Sequence, residues 1–264
     1  MIRLCGLLDD IGVQPITFNV DVLGYVIRLK SIFLPVIFSL ILIGLTYGIG
    51  EKFVVAQIRY GGGGDWYGDQ TAVSTWLKFL RSRVGIETAR DRIIIKLTDR
   101  DLYQYPFLYL VGHGNVRFSD KEVELLRSYL MRGGFMFVND DYGLDKSFRR
   151  EMKRVFPDRS LEPIPNNHDI YHCFYDLSGL PKIHEHDGEP AQGFGVFHEG
   201  RMVVFYAYSA DIGDGLEDQK IHPDDSSALR ELAAKMAINI SVYAALHLRP
   251  LLHPHSRALA LPRV

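Results

Sequence analysis

The chain has 264 residues, 47% hydrophobic and 23% charged, a globular composition long enough for one large domain with a buried core and unlike that of disordered chains. A formal net charge of −2 gives no bulk attraction for nucleic acid, so no nucleic-acid partner is expected. The two cysteines, Cys5 and Cys173, form no CxxC pair, which argues against a thiolate zinc site and a disulfide framework.

Within the N-terminal extension, residues 1–30, Met1 to Val26 have no helical period and carry Asp9, Asp10 and Asp21, unlike the basic region of an export signal and unlike a folded unit. They read as a cytoplasmic extension or, if translation starts at Val26, as partly untranslated; that start opens on VIRLKSIFLPVIF. Residues 31–50, SIFLPVIFSLILIGLTYGIG, carry no charge over a length that suits a membrane-crossing helix. They also fit a signal peptide, with Arg28 and Lys30 as the basic region, Phe33 to Leu45 as the apolar region, and Gly48 and Gly50 as small residues near a cleavage site. The nearest flanking cations favour the N-terminus inside, although Lys52 and Arg59 follow on the other side. Under either reading the domain that follows lies outside the cytoplasm, attached to the membrane through residues 31–50 or exported to the periplasm.

From residue 53 to 246 short apolar runs alternate with amphipathic segments, the pattern of a three-layer α/β domain with a mostly parallel sheet and helices on both faces. Strands are expected at FVVAQIRY (53–60), IIIKL (93–97), FLYLV (107–111), FMFVN (135–139), IYHCFYD (170–176) and MVVFYAY (202–208). Helices are expected at 70–83 with Asp69 as N-cap, at 120–131 with Ser119 and Glu122 as a capping box, at 145–156 and at 227–246. The glycine pair Gly133 and Gly134 should end the second of these. Residues 247–264 carry three prolines and no period, and read as a tail.

In a parallel sheet ligands bind at the carboxyl ends of the strands, so the loops there hold the candidate site. After the first strand comes the run Gly61 to Gly64 with Asp65, Trp66 and Tyr67; it is neither a P-loop nor a dinucleotide fingerprint. Gly63 would let a ligand approach the backbone, and Trp66 with Tyr67 could stack on a sugar ring or a peptide side chain, or pack into the core. His113 follows the third strand, and Asn139, Asp140 and Asp141 follow the fourth; with His168 they could form an oxygen-rich metal site or an acid/base pair, or else serve as helix cap and solvated carboxylate. The three loops carrying Asp65, His113 and Asp140 are expected to meet in one cleft. His184, Glu185 and His186 are too closely spaced for a helical HExxH motif and read as a solvated loop whose histidines point apart. Cys173 falls inside an expected strand, so no nucleophile elbow is visible and no metal ligand or cofactor is assigned.

The ordered combination RYGGGGDWY, YPFLYLVGHG, LRSYLMRGGFMFVNDD and FPDRSLEPIPNNHDIYHCFYDL resembles the bacterial family called domain of unknown function number 4159, over about Phe53 to Ala245. That family is similar to class I glutamine amidotransferase-like (flavodoxin-like) folds and its members are commonly exported or membrane-attached, but no reaction is established for it. Where such amidotransferases carry a nucleophilic cysteine this chain has Asn139, Asp140 and Asp141, so glutamine hydrolysis by the usual route is not implied. Two readings follow. One is a non-catalytic extracytoplasmic module that binds a protein or small molecule at the rim; the other is a hydrolase using Asp140, Asp141 and His113, with metal assistance as an option.

Overall fold

The computed structural model describes residues 52–248 and, separately, the strands β1 (Thr17–Val22) and β2 (Tyr25–Lys30). These two pair as an antiparallel hairpin, from Thr17 opposite Lys30 to Val22 opposite Tyr25. The alternation in TFNVDV and YVIRLK accounts for it, so the extension contains regular structure where none was expected. The expected membrane or signal segment 31–50 lies outside the described residues, as does the tail from 249 onward. Among the described residues no helix is long and apolar enough to cross a membrane.

The remaining residues are built on a seven-stranded sheet. Its strands are β3 (Ala56–Ile58), β4 (Ile93–Ile95), β5 (Phe107–His113), β6 (Phe135–Tyr142), β7 (Glu162–Pro163), β8 (Gln192–His198) and β9 (Arg201–Tyr208), in the order β4-β3-β5-β6-β9-β8-β7. The first five in that order are mutually parallel, while β8 and β7 extend the sheet by antiparallel pairing. The helices are α1 (Ala72–Phe79), continued by a π-helical turn to Val84, α2 (Asp120–Met131), α3 (Asp145–Val155) and α4 (Ser227–His247).

Parallel strands buried on both sides should be apolar throughout, and β5 is so from Phe107 to Val111 and β9 from Met202 to Ala207. One core packs Trp76, Leu77 and the small residues of α4 against Phe107, Tyr109, Phe137 and Phe205. The other packs Leu126 and Leu130 of α2 and Phe148 and Met152 of α3 against Leu108, Leu110, Val138 and Tyr206. Helices therefore cover both faces. The capping box is present: Glu122 N–H donates to Ser119 Oγ and Ser119 N–H to Glu122 Oε2.

Two expectations are corrected. Residues 170–176 are no strand but a 3-10 turn, Asp169–Tyr171, and a following loop. His168 Nδ1 accepts from Ile170 N–H, and Asn239 on α4 holds Tyr175 through both its backbone groups. The place in the sheet goes instead to β8, QGFGVFH, whose glycines mask its alternation. They are needed there: a Cβ on Gly193 would lie 2.1 Å from the Tyr171 hydroxyl, and one on Gly195 2.8 Å from Met202 Sδ. Asp69 does not cap α1; that helix starts after Thr71, with no side-chain cap.

Candidate functional site

The carboxyl ends of β3, β5, β6 and β9 are adjacent, and the segments after them close on one basin. His113, at the end of β5, donates its backbone N–H to Asp65 Oδ1 and Nδ1 to Asp65 Oδ2 at 3.1 Å. The same Nδ1 lies 3.8 Å from Asp141 Oδ2. Asp65 and His113 thus meet as the strand reading requires.

Asp140 does not join them. Because β6 runs on to Tyr142, Asp140 and Asp141 are consecutive strand residues and point to opposite faces. Asp140 turns toward α3, where Oδ1 accepts from Leu144 N–H (3.0 Å) and Oδ2 from the Tyr206 hydroxyl (2.7 Å). It is a structural acceptor rather than part of the cleft. Asn139 and Asp141, two residues apart, share the other face, and Asn139 Nδ2 donates to Asp141 Oδ1 at 2.6 Å.

His168 is also misplaced by the sequence reading. Its ring stands 5.5 Å from that of Tyr243 and 6.4 Å from Phe197, beside the start of β9 and so at the opposite edge of the sheet. Burial lowers its pKa. Gly63 has a positive φ of 91° with open space around it. Trp66 and Tyr67 meet edge to face at 5.6 Å on the lip, with Arg59 over the Trp66 ring.

The remaining basin residues come from segments the sequence reading passed over. His184 Nδ1 approaches Asp214 Oδ2 at 2.6 Å, and His186 Nε2 approaches Asp211 Oδ2 at 3.0 Å. One donor atom from each of His184, His186, Asp211 and Asp214 falls within 4.8 Å of the others, a set able to hold a metal ion. The second oxygen of Asp214 lies 3.2 Å from His222 Nε2. The two histidines of HEH converge because the chain bends between them: Glu185 accepts from Gly188 N–H, and Ile183 N–H donates to Ala210 O, tying this loop to the one after β9. The legible signal was Asp211-Ile212-Gly213-Asp214, which directly follows an expected strand.

Negative charge is concentrated here to a degree that burial makes costly. Burial, with the charge of Asp214 next, pushes Asp69 up to about 8. Asp141 is held well above the usual carboxylate range, first by burial and then by Asp69, Asp211 and Asp214, and Asp211 likewise, first by burial and then by Asp214 and Asp69. Asp69 accepts from the Tyr109 hydroxyl at 2.9 Å. Asp141 Oδ2 is buried, its side chain 1% exposed, and has no hydrogen-bond partner. Backbone strain collects at the same place. Of the four non-glycine residues with positive φ among the described residues, Asp69, Ser209 and Asp211 border the basin.

No curated protein matches the chain. The sequence profile described as Domain of unknown function (DUF4159) matches residues 54–245. That span contains every basin residue from Asp65 to His222, and the chain belongs to this family.

Proposed function

We propose that the domain is a metal-assisted hydrolase whose ion is held by His184, His186, Asp211 and Asp214. The observation that carries this reading is the convergence of two imidazole and two carboxylate donors within 4.8 Å. Nitrogen and oxygen donors in this proportion suit zinc, which binds imidazole and carboxylate at about 2.0–2.2 Å. A divalent ion also offsets the repulsion among Asp141, Asp211 and Asp214, which solvent cannot relieve in a buried setting.

A bound zinc ion would supply the chemistry of an activated water, whose pKa falls to about 7 on that metal. Asp214 is engaged on both sides, Oδ2 2.6 Å from His184 Nδ1 and Oδ1 3.2 Å from His222 Nε2, so its role is that of a ligand. His113, held by both oxygens of Asp65, borders the same space with its ring 6.2 Å from that of His186. Cys173 takes no part: burial pushes its thiol up to about 11, and Sγ donates to Asn239 O.

The domain is read as acting outside the cytoplasm, anchored through residues 31–50 or released by their cleavage, since that stretch is uncharged and precedes the domain. Protection from added protease in intact spheroplasts would reject this placement. For the site itself, the purified full chain should bind one zinc ion, measured by elemental analysis and titration calorimetry. His186→Ala and Asp211→Asn should each weaken binding at least about tenfold, the scale on which lost metal contacts are felt. An unchanged affinity in both variants would refute the assignment. Zinc binding without turnover of any ester, amide or phosphoester would return the domain to the reading of a non-catalytic ligand-binding module.

A further inference from the structure

Asp65, His113 and Asp141 form a second constellation, and none of them belongs to the set of donors that fall within 4.8 Å of one another. The glycine run after β3 is shaped to deliver the first of them. Gly62 has φ of 109°, and a Cβ there would lie 2.7 Å from Arg117 N, while a Cβ on Gly64 would lie 2.7 Å from His113 O. The loop is therefore pressed against the segment after β5. Both oxygens of Asp65 then engage His113, one at the backbone N–H and the other 3.1 Å from Nδ1. Asp141 approaches the same ring nitrogen from β6, with Oδ2 3.8 Å from it. That oxygen belongs to a side chain 1% exposed and accepts no hydrogen bond. Its direction is fixed, because Oδ1 of the same carboxylate accepts from Asn139 Nδ2 at 2.6 Å. The loop backbone closes over it, since a Cβ on Gly68 would lie 3.3 Å away.

We propose that Asp65, His113 and Asp141 hold a second divalent ion, beside the one held by His184, His186, Asp211 and Asp214. The site itself stands on the orphaned oxygen of Asp141; its role rests on the metal-assisted reading above. Ligands bound at about 2.0–2.2 Å lie within about 4.4 Å of one another, and His113 Nδ1 meets that limit with both carboxylates. The ion takes the place of the proton that Nδ1 donates to Asp65, as metals do when they bind, and gives Asp141 Oδ2 the partner it lacks. A buried water could satisfy that one acceptor but would leave its charge uncompensated, and Asp69, Asp211, Asp214 and Asp65 all act on Asp141. The nearby guanidiniums are directed elsewhere: Arg59 stands over the Trp66 ring, and Arg92 donates to Gln57, Gly68 O and Asp69 O. Two carboxylates with a single imidazole suit a harder ion than the first set does, and manganese(II) accepts both ligand types. The rings of His113 and His186 stand 6.2 Å apart, so the two sets open on one basin, where the second ion acts as a Lewis acid on a substrate oxygen.

The test starts from the full chain given one equivalent of zinc and titrates it with manganese chloride. Free manganese(II) is read from its electron paramagnetic resonance signal, and zinc by elemental analysis. The chain should take up one manganese ion and keep its zinc. Asp141→Asn, Asp65→Asn and His113→Ala should each weaken manganese binding at least about tenfold with the zinc retained, and the melting temperature of each variant controls for folding. Asp140→Asn, on the opposite face of β6, should leave the uptake unchanged. No manganese uptake by the zinc-loaded chain, uptake only by displacement of the zinc, or uptake that Asp141→Asn and His113→Ala leave unaltered each overturns the second site. His186→Ala separates this proposal from the reading of the first set. Loss of zinc in that variant, with manganese uptake still dependent on Asp141, supports both; unchanged zinc affinity refutes the first set alone, and the Asp141 dependence of manganese uptake still decides the second.

Discussion

Asp140 and Asp141 are chemically identical neighbours with unrelated duties, and the strand period separates them. Asp140 satisfies Leu144 N–H and the Tyr206 hydroxyl, both buried. Asp140→Ala should cost about 1–3 kcal/mol in denaturant unfolding, the penalty for stranding buried donors, with zinc affinity unchanged. Asp140→Asn should be milder, since its amide retains an acceptor for Leu144 and can pair with a reoriented Tyr206 hydroxyl. A loss of zinc binding in either variant would show that Asp140 reaches the basin after all. For Cys173→Ser, a hydroxyl can donate to Asn239 O as the thiol does, so hydrolysis and zinc binding should persist. Loss of activity at an unchanged melting temperature would make that thiol a functional group.

At the level of elements, the β5-α2-β6 unit was legible because every local signal agreed: two apolar runs, a capping box and a glycine pair. The Gly134 position shows how tightly that agreement is drawn, since a Cβ there would lie 2.1 Å from Cε1 of Tyr129. Strand β8 was hidden by glycines that exist for its neighbours' side chains. The stretch 170–176 showed strand composition but is apolar because it lies against α4, not because it joins the sheet. The same limit governed the site. Asp65, Asn139, Asp141 and His113 could be found from strand ends, whereas His184 and His186 come from a loop that reaches the rim through contacts with the residues after β9. Local pattern carries no signal for that. In the glycine loop, Gly62→Ala should destabilise by about 1–3 kcal/mol for the positive φ alone. Near-ultraviolet circular dichroism from Trp66 and Tyr67 should change with it; an unaltered spectrum and stability would mean that the loop tolerates a side chain.

For the whole molecule, the buried carboxylates couple folding to pH. Asp69 titrates at about 8 in the folded chain against an ordinary 3.8, so below about 4 both states hold the proton and its contribution is intact. Between these values only the folded state holds it, the unfolded state binds fewer protons, and stability falls as pH rises. Chelator-treated protein should therefore melt at progressively lower temperature from about pH 4 to about pH 8. Zinc should restore most of the loss at pH 8, because it binds only the folded state and neutralises the cluster. A flat melting profile without zinc would mean that these carboxylates are not confined as described.

The basin is joined from distant parts of the chain: Asp65 meets His113 across 48 positions, Asn139 meets Ile212 across 73, and Thr71 meets Glu217 across 146. Such closures come late in folding, after a local unit such as β5-α2-β6 has formed, because long loops must be ordered before they gain contacts. Mutual repulsion among the carboxylates then acts on the last step, raising the native state relative to its transition state. An ion arriving after closure would slow unfolding far more than it speeds folding. The lifetime of the folded domain, rather than its rate of formation, would then report the zinc concentration around it.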